Sequence, residues 1–91
     1  MLEPGKSLSD QRHSYRSEHW HVVEGLVSID IEYIDGKKDN IAIGPKESGD
    51  IPKMTWHRAY NNTKKRAKII ETWFGDNLTE EDIERRAFEK F

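Results

Sequence analysis

The sequence predicts an all-β fold, a small barrel or sandwich of short antiparallel strands. Turn-forming pairs such as Asp35-Gly36 and Ser48-Gly49 recur along the chain, and short segments between evenly spaced turns are typical of such folds. From Val27 to Tyr33 apolar and polar residues alternate without a break. One face of this strand therefore meets a core and the other meets solvent.

Shorter apolar runs predict the other strands. We expect them over residues 19–23, 40–43, 56–60 and 66–74, with a further strand that carries Gln11 and His13. The connection after Tyr33 is expected to be longer than a two-residue turn, because Lys37-Lys38-Asp39 follows Asp35-Gly36.

The C-terminal stretch predicts a short helix. Thr79 suits the N-cap position, with Asp82 three residues later, and two glutamates between them place negative charge in the first turn. Three apolar residues then recur at a spacing of four and predict a narrow docking stripe: Ile83, Ala87 and Phe91.

Composition limits the classes of partner. The 91 residues form one domain, 1–91, with 34% hydrophobic and 35% charged residues and a formal net charge of −2. This balance provides no excess positive field, so it argues against a general nucleic-acid or membrane-surface binder. No stretch is apolar enough for a signal peptide or membrane span, and we expect a cytoplasmic protein. The small core favours a homodimer that covers part of the apolar surface.

Four polar residues predict a metal site. Gln11 and His13 are two residues apart and share a face on a strand, and Glu18 begins the next strand after a short loop. The two strands can bring these three side chains to one point, and His57 lies on a later strand. The chain has no cysteine, and a nitrogen and oxygen ligand set suits one divalent ion such as Zn, Mn, Fe, Co or Ni. The alternative is a polar strand end with satisfied hydrogen bonds.

Two spacings in this region resemble the cupin family. Gly5, Gln11-x-His13, Glu18 and Gly25 are spaced like the first cupin motif, with Gln11 in place of its first His; Pro52, His57 and Asn61 are spaced like the second. The stretches "PGKSLSDQRHSYRSEHWHVVEG", "IPKMTWHRAYNN" and "IIETWFGDNLTEEDIER" resemble the C-terminal cupin domain of type II mannose-6-phosphate isomerases, which usually follows a guanylyltransferase domain. The resemblance implies a cupin jelly-roll β-barrel, here with a short C-terminal helix.

The resemblance also implies a function. The expected reaction is metal-dependent interconversion of mannose 6-phosphate and fructose 6-phosphate, in which the ion polarises a substrate oxygen. Glu71 is the candidate base, and the candidate phosphate-binding residues are Arg16, Lys53 and Arg58. Two alternatives stay open. One is a non-catalytic cupin that holds a metal and a small ligand; the other is oxygen-dependent oxidation on iron.

Other residues near these motifs carry a different interpretation. His19 and His21 have the opposite strand parity to Glu18, so we expect them on the other face and not at the metal. We expect the three tryptophans in the core or at an interface. The chain also departs from the family, which usually has two His at Ser14-Tyr15 and a Gly at the position of Met54.

Overall fold

Two antiparallel sheets form the molecule, which a computed structural model describes over residues 1–75 and 78–86. Eight strands follow the chain: β1 (Asp10–Arg12), β2 (Ser17–Glu24), β3 (Val27–Glu32), β4 (Lys38–Ile43), β5 (Ser48–Ile51), β6 (Trp56–Tyr60), β7 (Lys68–Phe74) and β8 (Glu84–Arg86). The larger sheet has the strand order β4-β3-β6-β1-β8, and the smaller has the order β5-β2-β7. The predicted all-β jelly-roll class is confirmed.

The core lies between the sheets. On β3 the apolar residues Val27, Ile29 and Ile31 are buried as predicted; of the polar residues between them, Asp30 is partly exposed and Ser28 is also buried. Strand β2 supplies Trp20 and Val22 from the opposite sheet. The complete buried cluster comprises Leu2, Trp20, Val22, Val27, Ile29, Ile31, Ile43, Ile51, Ala59 and Ala67.

Strand β5 was not predicted, because Ser48-Gly49 suggested a turn. Gly49 instead pairs with Trp20 across β5 and β2. A Cβ at Gly49 would lie 2.8 Å from the Cδ1 atom of Ile43. The glycine therefore marks a close packing contact inside a strand rather than a change of chain direction.

The C-terminal segment corrects the predicted helix. Residues 79–82 form a turn, and Glu84–Arg86 pair with β1 as β8. Charged contacts explain this, since Arg86 donates to Asp10 and Arg12 donates to Glu84. The other two members of the predicted stripe, Ala87 and Phe91, lie outside the described residues. Residues 1–75 and 78–86 also contain no helix long and apolar enough to cross a membrane.

Strand register determines where the polar interior lies. His57 on β6 pairs with Ile31 on one side and with Gln11 on the other, so all three side chains share the inner face. Glu18 on β2 pairs with Ile51 and Trp73 in the facing sheet. The register thus places these polar side chains on the inner faces of the two sheets, next to apolar residues such as Ile31 and Ile51.

Candidate metal centre

His13, Glu18 and His57 converge between the two sheets, and all three are buried. The Nε2 atom of His13 lies 3.0 Å from Glu18 Oε2, and the Nε2 atom of His57 lies 3.9 Å from Glu18 Oε1. One candidate ligand atom from each residue falls within 4.8 Å of the others. Two ligand atoms that each lie about 2.1 Å from one tetrahedral ion are about 3.4 Å apart, so this spacing suits one ion.

The outer nitrogens of both histidines contact backbone carbonyls. His13 Nδ1 lies 2.7 Å from the carbonyl oxygen of Asp82, and His57 Nδ1 lies 3.1 Å from that of Thr55. A carbonyl only accepts, so Nδ1 carries a hydrogen in both rings, and Nε2 is the atom that each ring turns toward the centre as a possible ligand. This is how protein metal sites usually orient histidine.

The Nε2 atom of His57 indicates whether these residues fit a metal ion. It is buried and has no hydrogen-bond partner among the described residues. Buried nitrogens are rarely left unpaired, because the loss of water is costly. The ligand set combines two imidazoles with a carboxylate, which suits a divalent ion of the zinc or manganese type and leaves open positions for another ligand. These residues therefore fit the predicted metal.

Glu18 remains ionised in this interior. Burial raises its pKa, but close contact with His13, the hydrogen bond from Trp20 and the nearby His57 lower the pKa to about 2. The indole Nε1 of Trp20 donates to Glu18 Oε1 at 2.7 Å. A buried carboxylate with this many partners is a ready ligand for a cation.

His57 remains neutral. Burial lowers its pKa below the ordinary value, and the nearby His13 acts in the same direction, whereas the Thr55 carbonyl and Glu18 act against them. Since the neutral form is the one that coordinates metals, the depressed pKa favours the role predicted for His57.

Gln11 lies beside the centre. It pairs with His57 in the register of β1 and β6, on the same face. Its amide Nε2 lies 3.5 Å from the carbonyl oxygen of Ser9. Its role as a fourth ligand stays a prediction.

Arg16 points into the centre, on the face that its strand parity predicts. Its side chain is only 6% exposed, and Nε donates to Glu18 Oε2 at 2.9 Å. Nη1 donates to the carbonyl of Thr79, and Cζ lies 3.4 Å from the centroid of the Trp73 ring. Arg16 is thus held by contacts from both the site and the C-terminal segment.

Glu71 lies on the inner side of β7, directly opposite Trp20 on β2. The residue as a whole is exposed, while its carboxyl group is turned toward Glu18. Partial burial of this carboxyl and the charge of Glu18 raise its pKa, against the opposing influence of Trp73 and Arg16. The sequence left open whether Glu71 or Ile70 faces inward; the register with β2 places Glu71 inside.

Four other residues lie outside the barrel interior. Lys53 is exposed in the turn before β6. Arg58 lies on the outer face, 5.1 Å from the centroid of the Tyr60 ring and 3.9 Å from Asp30. On the outer face of β2, His19 contacts Asp50 and His21 contacts Ser48, so the prediction that these histidines face away from Glu18 is confirmed.

Asp82 was missed as a site residue. Its carboxylate accepts hydrogen bonds from the backbone N–H groups of Ser14 and Tyr15, both at 2.8 Å, while its own carbonyl contacts His13. Asp82 therefore holds the whole β1–β2 loop that carries His13 and Arg16. The sequence suggested only a helix start at this position, because the pairing of segments 69 residues apart has no local signal.

This fold and centre define a class of protein, the cupins, with a His, Glu and His set between two sheets. The chain belongs to the family of mannose-6-phosphate isomerase C-terminal domains, whose sequence profile matches residues 1–89.

Curated relatives agree with this assignment. The chain is 37% identical over 84 residues to the alginate biosynthesis protein AlgA of Pseudomonas putida, covering 92% of this chain and 16% of the relative. It is 38% identical over 86 residues to the mannose-1-phosphate guanylyltransferase of Escherichia coli, covering 94% of this chain and 17% of that protein. The chain thus spans about a sixth of the length of these relatives.

Solved structures show the same fold at low sequence identity. Oxalate oxidase in complex with glycolate superposes with a TM-score of 0.79 at 20% identity, covering 91% of this chain and 41% of the other. The sugar 3,4-ketoisomerase QdtA from Thermoanaerobacterium thermosaccharolyticum gives 0.75 at 15% identity, with 94% and 61% covered.

Proposed function

We propose that this domain is a metal-dependent aldose–ketose isomerase that interconverts mannose 6-phosphate and fructose 6-phosphate. One observation carries the proposal: two carboxyl groups with opposite pKa shifts lie close together on the inner face. Glu18 stays ionised among the candidate metal ligands, and the pKa of Glu71 is raised beside it. Pairs of this kind commonly divide the work of ligand and proton carrier.

The roles follow from these environments. His13, Glu18 and His57 would hold a divalent ion, which would polarise a substrate oxygen as a Lewis acid. Glu71 would take the proton from C2 of the aldose and return it to C1, while the hydroxyl proton passes from O2 to O1 through the enediol. A raised pKa suits this exchange, because a carboxyl group that titrates nearer neutral pH both accepts and releases a proton readily.

The phosphate needs local positive charge, since the chain is net negative. Arg16 is the first candidate because it reaches the interior, and Lys53 is the second because it is exposed in a turn adjoining β6. Arg58 faces outward on β6, which makes it the weakest of the three candidates.

The reaction is tested by a coupled assay, in which a second enzyme consumes the fructose 6-phosphate that is formed. Glu71→Gln should lower kcat by about a hundredfold or more, the usual range for losing a general base, while its metal content stays that of the wild type. Glu24→Gln, an exposed glutamate at the far end of β2, is the matched control and should keep full activity. Equal kcat in the wild type and Glu71→Gln would remove Glu71 from the mechanism.

The second candidate is a non-catalytic module that binds a metal and a polar ligand. The burial of Arg16 favours it, because this guanidinium is already bonded to Glu18 and is less available to a phosphate group. Calorimetry separates the candidates: binding of mannose 6-phosphate without turnover in the coupled assay supports the module, and turnover supports the isomerase.

We also propose a homodimer. Strand β7 is at the edge of the smaller sheet in the described part of the chain, and its outward residues Ile70 and Phe74 are 57% and 55% exposed. An open strand edge with apolar side chains is a natural site for a second copy. Light scattering at micromolar concentration should give twice 10.7 kDa; the monomer mass would contradict the dimer.

A further inference from the structure

The Arg16 guanidinium contacts two of the three candidate metal ligands. Besides the hydrogen bond to Glu18 Oε2, its Nη2 atom lies 3.2 Å from His13 Nε2. One side chain thus brings positive charge and hydrogen-bond donors to atoms that a cation would use. His57 Nε2 has no such partner among the described residues.

The contact with His13 excludes coordination at the same atom. In the neutral ring the Nδ1 hydrogen faces the Asp82 carbonyl, so Nε2 has a single lone pair. Arginine has donors only, so in this form of the ring Nη2 lies against that lone pair as a donor, at the atom that a metal ion would use. A lone pair that accepts this hydrogen bond cannot also bind a metal ion.

We propose that Arg16 is a built-in counter-cation of this centre, which competes with a divalent ion for His13 and Glu18 and is displaced when the ion binds. The Thr79 carbonyl and the Trp73 ring lie outside the ligand set, so the displaced guanidinium keeps other contacts nearby. The inference depends on the metal centre but not on the isomerase reaction proposed above.

Competition of this kind weakens the apparent affinity for the metal. If the ligands are free of Arg16 only about a tenth of the time, the apparent Kd is about tenfold higher than that of the free ligand set. Removal of the guanidinium therefore increases the affinity, although Arg16 belongs to the same cluster as the ligands.

Zinc titration of the stripped protein, with a competing chelator, tests the affinity. Arg16→Gln should bind zinc about tenfold more tightly than the wild type or better, and Arg16→Lys should fall between them, because an ammonium cannot fork across both ligands. Arg58→Gln is the matched control: it removes the same charge from the outer face and should bind zinc like the wild type. A folded Arg16→Gln variant with equal or weaker affinity would overturn the proposal.

Nuclear magnetic resonance of the wild-type protein gives an independent test. The Nε–H signal of Arg16 is identified by its loss in Arg16→Lys, and it should shift when one equivalent of zinc, a diamagnetic ion, is added. A saturated zinc complex with an unchanged Arg16 signal contradicts the exchange while leaving the metal centre intact. Absence of zinc binding would refute the metal centre and the exchange together.

Discussion

Met54 has a backbone conformation that is unfavourable for a residue with a side chain. Its φ of 60° lies in the left-handed region, and its N–H donates to the carbonyl of His13 at 2.8 Å. The family usually places Gly at this turn, and glycine adopts this conformation without steric cost. The β5–β6 turn therefore carries backbone strain directly beside a candidate metal ligand.

Met54→Gly should stabilise the protein. Relief of the left-handed penalty contributes about 1–2 kcal/mol, and the greater freedom of glycine in the unfolded chain offsets about 0.5–1 kcal/mol. The net gain of about 0.5–1 kcal/mol corresponds to a rise in Tm of a few degrees, measured by differential scanning calorimetry. The control is Lys53→Gly at the neighbouring position, which relieves no strain and should lower Tm. A lower Tm in Met54→Gly would show that the contacts of the Met54 side chain contribute more to stability than the strain costs.

Glu71 predicts a dependence of stability on pH. Its folded pKa is raised above the ordinary value of 4.5, so below pH 4.5 both the folded and the unfolded state hold the proton and the carboxyl group has no effect on stability. As the pH rises from 4.5 through the folded pKa, ionisation stabilises the unfolded state more than the folded state. Glu71→Gln should therefore raise the Tm of the stripped protein at pH 7 and leave it unchanged near pH 4. A gain that is equal at both values would mean that the effect is not electrostatic.

At the scale of elements, alternation and turn chemistry explain most of what the sequence predicts. Strand β6 has the predicted bounds 56–60, and β3 differs from its prediction by one residue. Strands β5 and β8 escaped prediction because each is short and polar and is defined by its partners: β5 by close packing at Gly49, β8 by ion pairs such as Arg86 with Asp10. Tertiary contacts of this kind override local propensity.

The candidate site was predictable to a similar degree. Motif spacing predicted His13, Glu18 and His57 as metal ligands, and the fold places these three residues together. The supporting contacts could not be predicted, because the carbonyls of Thr55 and Asp82 act as backbone groups whose positions no side-chain pattern records.

Thr79 and Asp82, in the segment before β8, contact the loop between β1 and β2. Asp82→Ala removes two hydrogen bonds to that loop and should weaken metal binding by about 10–100-fold, as loss of an orienting contact behind a ligand usually does. The measurement is zinc affinity by competition with a chelator. The control is Glu81→Ala, which changes an adjacent exposed acid and should bind zinc like the wild type. An unaltered zinc affinity in Asp82→Ala would show that the β1–β2 loop keeps its conformation without these two hydrogen bonds.

At the scale of the whole molecule, the two ends of the barrel have separate roles. Asn61, four residues along from His57, is buried at the end away from the metal centre. Its amide donates to the carbonyls of Leu2 and Lys65, and its oxygen accepts from the backbone and hydroxyl of Thr63. These hydrogen bonds hold the N-terminus and the 61–66 loop against the end of β6.

Asn61→Leu should lower the free energy of unfolding by about 2–4 kcal/mol, because it leaves several buried polar groups without partners. Urea denaturation measures the loss, and the metal content of the folded variant should match that of the wild type. Loss of metal along with stability would mean that the two ends of the barrel are coupled.

Metal content per chain tests the central claim most directly. After expression and dialysis, elemental analysis by mass spectrometry should find about one divalent ion per wild-type chain, as a single set of three ligands implies, and essentially none in the His13→Ala, His57→Ala double variant. The His19→Ala, His21→Ala double variant also removes two histidines, but from the outer face of β2, and should keep the ion. Equal metal content in the His13→Ala, His57→Ala variant and the wild type would contradict the assignment of this centre.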